Sequence, residues 1–145
     1  MNNLENESEA IRLSIYCDII CQVLYWHRNI SMNKILLITY ILKEYNIYKK
    51  SYTATDTNDL SYKLISLLNG KFNDYCNNIG IITKAVHLLI LNKNIMLEED
   101  ILFFIEKKDN AKVFLYDDKS FFYKAIEDCK KMTEIQFLKE TLQNV

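Results

Sequence analysis

Between Ile101 and Tyr116 the chain carries two short aromatic and β-branched runs, joined by the polar stretch Lys107 to Asn110. Such runs on either side of turn residues predict a β-hairpin. Helical periodicity precedes and follows it. One hairpin set among helices excludes most architectures. The glycine and proline usage narrows the choice further. There is no proline, and glycine occurs only at Gly70 and Gly80. All-β folds draw on many such turn positions, so this chain reads as helices linked by short polar connections.

The first helical segment spans Ser8 to Asn29. Ile11, Ile15, Ile19 and Val23 recur at helical steps, and Leu13, Tyr16, Ile20, Leu24 and Trp26 widen the stripe to nearly every side. A helix so apolar lies at the centre of a core or has a partner on its outer face. Asn29 or Ser31 can cap a second helix, Met32 to Tyr45. Residues 46–58 are polar and read as a loop suited to contacts. A third helix is expected from about Asp59 to Tyr75, and Gly80 reads as a break before a fourth, Ile81 to Leu91. After the hairpin, Ser120 opens a helix to about Met132, and Thr133-Glu-Ile-Gln opens the last one. Phe137, Leu138 and Leu142 form its apolar stripe. The expected fold is mainly α with one small β-hairpin: a single winged-helix-like domain with C-terminal helices over 119–145 and a flexible start over 1–7. Its length of 145 residues suits one domain.

Charge bounds the partners. Lysine and arginine number 18 against 19 aspartate and glutamate, a net charge of −1. That argues against a broad phosphate-neutralising surface. Lys84 on the fourth helix and Lys107, Lys108 and Lys112 on the hairpin are the candidate DNA contacts. Base readout favours Arg, Asn and Gln on the inserted helix, and the only arginines are Arg12 and Arg28. A solvated lysine face is the plainer reading.

Catalytic and metal chemistry find little footing. Cys17 and Cys21 share a helix face, but zinc sites use four ligands in clustered pairs, and only His27 lies near. Core cysteines are the simpler account. His27 and His87 are the only histidines, and neither has a nucleophile at recognisable spacing. Two glycines ten positions apart cannot build a phosphate-binding loop. Glu98-Glu99-Asp100 and Asp117-Asp118 read as solvated turn charges. No enzyme, metal or cofactor is expected. The polar, acidic start is not a secretory signal, and no apolar run reaches the roughly 20 residues a bilayer requires. A cytoplasmic chain with reduced thiols follows.

Aromatic density marks the hairpin. Phe103 and Phe104 are adjacent, so strand alternation sends one inward and the other out. Phe104 is taken as the outward residue. With Phe137, Leu138, Leu142 and Val145 it makes the candidate protein interface.

Three stretches carry a resemblance. They are the apolar first helix followed by Ser31-Met-Asn-Lys-Ile-Leu-Leu-Ile-Thr-Tyr-Ile-Leu42, the helical pair from Leu60 to Leu91 leading into the hairpin, and the amphipathic tail Phe137 to Val145. In this layout the chain resembles the middle components of bacterial three-component ABC systems, among them the Lamassu-type anti-phage complexes built on an SMC-like ATPase. The resemblance implies a non-enzymatic adaptor that binds the ATPase and couples it to an effector, often a nuclease, with DNA touched at most indirectly. A second resemblance comes from Leu24-Tyr-Trp-His-Arg-Asn29, which is similar to a stretch near the first helices of poxviral Bcl-2-like proteins. It implies an inhibitor of host apoptosis or innate signalling, although the hairpin fits that all-helical family poorly. A DNA-binding winged-helix regulator is the third reading.

Overall fold

The computed structural model describes residues 3–44, 60–105 and 116–143. Over these the chain runs α1 (Asn3–His27), β1 (Asn29–Ser31), α2 (Met32–Glu44), α3 (Leu60–Ser66), α4 (Phe72–Leu91), β2 (Ile95–Glu98), β3 (Ile101–Phe104), α5 (Phe121–Lys131) and α6 (Glu134–Gln143). The fold is mainly α, with a three-stranded antiparallel sheet ordered β1-β3-β2 and two C-terminal helices. A short strand after the first helix, seated beside the second strand of a later hairpin, gives the winged-helix-like layout.

Helix α1 is the central element. Tyr16, Ile19, Ile20, Val23 and Leu24 are wholly buried, and α2, α4, α5 and the sheet pack around them. It starts at Asn3, so the expected flexible start gives way to helix from that residue on. Arg28 ends it in the left-handed region (φ 69°). Its N–H still bonds Leu24 O at 2.8 Å, and its guanidinium lies over the rings of Tyr25 and Phe104.

The hairpin differs from expectation. Ile101–Phe104 is its second strand, and Ile95–Glu98 is its first. The turn is Glu99-Asp100, with φ of 50° and 65°. Two positive φ values mark a type I′ turn, where Asn-Gly is the usual sequence. Here the turn also supports α2. Asp100 O accepts the N–H of Met32 at 2.9 Å, satisfying an otherwise orphaned donor at the start of that helix. Capping of α2 by the Ser31 side chain does not occur, since Ser31 Oγ is buried without a partner among the described residues. The expected turn at Lys107 to Asn110 lies outside the described residues, as does the loop 46–58.

Gly80 is no break. It sits inside α4, which runs unbroken from Phe72 to Leu91. A mid-helix glycine costs about 1 kcal/mol relative to Ala, and burial of Tyr75, Ile81, Ile82, Ala85, Val86 and Leu89 outweighs that. The break comes earlier, at Gly70, whose φ of 77° ends the turn after α3.

Two lysines tie the C-terminal helices to the body. Lys34 is only 4% exposed, yet its ammonium is satisfied. It donates to Met132 O at 2.6 Å and Lys130 O at 3.4 Å, and lies 3.7 Å from a Glu134 carboxylate oxygen. It thus covers the negative end of α5. Lys130 does the same for α1, donating to His27 O at 2.6 Å. Lys34→Met keeps most of the stem but strands two carbonyls. The expected loss is about 1–3 kcal/mol, read from the midpoint of urea unfolding. An unchanged midpoint would mean that water replaces the ammonium at no cost.

Candidate protein-binding surface

Helix α6 begins where Thr133 Oγ1 accepts the N–H of Gln136 at 3.1 Å. Phe137 and Thr141 turn inward, four residues apart on one face. Phe137 is 2% exposed, and the Thr141 hydroxyl donates to Phe137 O at 2.8 Å. The inner face packs on α3, and Gln136 Nε2 donates to Tyr62 OH on that helix at 3.2 Å. The opposite face carries a second apolar row. Ile135 is 70% exposed, Leu138 46% and Leu142 63%. Their i, i+3, i+7 spacing places them in one line along the helix. A ten-residue helix anchored by one face gains nothing for its own fold from a second.

The residues expected at the interface therefore divide. Leu138 and Leu142 are exposed, and Ile135 joins them although its spacing alone had not singled it out. Phe137 is a correction: adjacent helical positions point about 100° apart, and its direction is the core. Phe104 is another. Register pairs it with buried Ile95, and its ring meets Tyr25 edge-on at 5.5 Å. The outward residue is its neighbour Phe103, paired with exposed Met96. Val145 lies outside the described residues.

The DNA candidates fare differently. Lys84 is exposed on α4, but its ammonium meets a Glu9 carboxylate oxygen at 2.7 Å. Thr83 beside it donates its hydroxyl to Ile79 O at 2.8 Å. The tip of the β2–β3 hairpin is Glu98, Glu99 and Asp100, all exposed. Three carboxylates there repel phosphate. Lys107, Lys108 and Lys112 lie outside the described residues.

Two clefts flank these surfaces. One of about 500 Å³ is lined by Ser31, Lys34, Asp100, Lys130 and Glu134 among others, where the hairpin tip meets α2 and the α5–α6 junction. A shallower one of about 610 Å³ separates the start of α1 from α4, with Leu13, Lys84, His87 and Leu88 on its walls. No cysteine lines either cleft among the described residues. Cys17 Sγ faces Ala85 O at 3.8 Å, and burial raises its thiol pKa. Burial, with Asp128 nearby, pushes Cys129 up to about 12. Raised thiols are poor nucleophiles and poor ligands. Among the described residues no group of three or more His, Cys, Asp or Glu could hold a metal ion. No protein-family model, no curated protein and no solved structure matches the chain. Among the described residues no helix is long and apolar enough to cross a membrane.

Proposed function

We propose that the chain is a non-enzymatic adaptor. Its partner is an SMC/ABC-type ATPase, and it couples that engine to an effector, in the manner of a middle component of a three-component anti-phage system. The observation that carries the protein-binding role is the exposed row Ile135, Leu138 and Leu142 on a helix already anchored by Phe137 and Thr141. Apolar residues aligned on a solvated helix face suit burial in a partner's groove. The choice of an ATPase rests on the sequence resemblance. The acidic hairpin tip and the Lys84–Glu9 pair weigh against a regulator that grips duplex DNA through helix and wing. The three-stranded sheet weighs against an all-helical Bcl-2-like module.

Co-purification with an SMC-type ATPase encoded beside this chain tests the reading. The double variant Leu138→Asp, Leu142→Asp should stay folded by circular dichroism, because both side chains are solvent-facing. It should lose the ATPase from the complex. A complex that survives the double variant, or no complex with the wild-type chain, refutes the assignment. A mobility shift of duplex DNA by the chain alone, with a steep salt dependence, would replace it with the regulator.

A further inference from the structure

Strand β2 ends the sheet on one side. Among the described residues nothing pairs with its outer edge. Its sequence, Ile95-Met-Leu-Glu98, holds no lysine or proline, and its one charge, Glu98, lies at the strand's end. Which peptide groups face outward follows from the ladder. Ile105 donates its N–H to Asn94 O at 3.2 Å, so Asn94 and Ile105 form a hydrogen-bonded pair. Antiparallel pairs alternate. Ile95 and Leu97 are then the residues whose N–H and C=O point away from β3. Met96 and Leu97 are both exposed large apolar residues.

We propose that β2 is a self-association edge, through which two copies of the chain pair antiparallel about a two-fold axis at Met96. In that register Ile95 of each copy stands opposite Leu97 of the other. The outward groups of both residues are used, giving four backbone hydrogen bonds. The two Met96 side chains lie side by side on the open sheet face. Just beyond the strand ends stand Lys93 and Glu99, both exposed and both in the left-handed region, so antiparallel pairing brings the ammonium end of each strand toward the carboxylate end of the other. No other register about this strand joins both outward pairs and both charge pairs. The contact is isologous and consumes the β2 edge of each copy, so assembly stops at two. The joined sheet has six strands, with both helical bodies on one side. The added contacts are few, and the dimer is accordingly a weak one.

Sedimentation equilibrium of the purified chain, from micromolar to near-millimolar concentration, reads this directly. The wild type should show a reversible monomer–dimer equilibrium. Lys93→Glu and Glu99→Lys each turn two attractions into repulsions. Each alone should raise the dissociation constant roughly tenfold. An equimolar mixture of the two variants restores opposite charges at both ends and should form a heterodimer about as tight as the wild-type dimer. Met96→Lys sets two ammonium groups together and should abolish pairing, with the far-ultraviolet spectrum unchanged. A wild-type chain that stays monomeric throughout overturns the proposal. So does a dimer indifferent to both charge reversals, and so does an edge that pairs only with a strand of a different protein. Because the chain is measured alone, none of these results bears on the ATPase reading.

Discussion

Phe137→Ala is expected to destabilise the protein by about 3–5 kcal/mol, the range for removing a buried aromatic ring and leaving its cavity. Leu142→Ala on the same helix is expected to change stability by no more than about 0.5 kcal/mol, as for an ordinary surface position. The contrast follows from placement. Phe137 is 2% exposed and belongs to the shared core, whereas Leu142 faces solvent. Loss of Phe137 also frees α6 from α3, since its other inward side chain is the small Thr141. Guanidinium unfolding of both variants checks the pair. Equal losses would mean that α6 is not docked by Phe137. The same contrast makes Phe137 a poor probe of partner binding: its variants lose core packing and the docking of α6 together, so a lost complex would not report on the interface alone.

The sequence made much of the helical frame legible, and particular residues show why. The step pattern of α1 is strong because its second half buries Tyr16, Ile19, Ile20, Val23 and Leu24 completely, although Ile11 nearer its start is 62% exposed. Ser120 is readable as a cap because serine before an aromatic helix start has one dominant use, and its hydroxyl does accept the N–H of Tyr123 at 3.1 Å. The hairpin was harder. A two-residue turn of Glu99 and Asp100 breaks the glycine rule that makes such turns visible. It is held by a contact across the fold, Met32 N–H to Asp100 O, which local spacing cannot show. Ile95-Met-Leu and Ile101-Leu-Phe-Phe are separated by a short acidic stretch, and that was the available sign.

The candidate surface was half legible for a related reason. Phe137, Leu138 and Leu142 look like one stripe when read as a list. Placed on a helix they fall on opposite sides, because Phe137 pairs with Thr141 and Leu138 with Ile135 and Leu142. A polar residue at 141 hid the inner face. Its hydroxyl is buried by bonding back to Phe137 O, a local solution that lets threonine occupy a core position. Lys34 was likewise invisible. A lysine next to an apolar helix run reads as surface, and only the carbonyls of Lys130 and Met132, about a hundred positions away, make its burial tolerable.

The second large effect is acid sensitivity set by His27. Its side chain is fully buried and sits between α1 and α5. The ring stacks on Tyr116 at 6.0 Å and meets Tyr123 at 4.7 Å. Nδ1 lies 3.1 Å from a Glu127 carboxylate oxygen, though off the line of a hydrogen bond. The Lys130 ammonium, on the His27 carbonyl, is the nearby cation. Burial lowers the imidazole pKa from 6.5 to about 4, against the opposing pull of Glu127 and with a smaller contribution from Lys130. The folded state therefore holds His27 neutral at a pH where the unfolded chain has already taken up a proton. Between pH 6.5 and about 4 the unfolded state binds more protons, so stability falls as the pH falls. Above pH 6.5 this penalty is absent. Across the window the loss approaches about 3 kcal/mol, since holding off one proton costs about 1.36 kcal/mol for every tenfold rise in acidity. His27→Phe keeps an aromatic ring against Tyr116 and Tyr123 but cannot titrate. Urea unfolding of both proteins at stepped pH should show a slope in the wild type that the variant lacks. Parallel slopes would place the acid sensitivity in other groups and leave His27 a packing residue only.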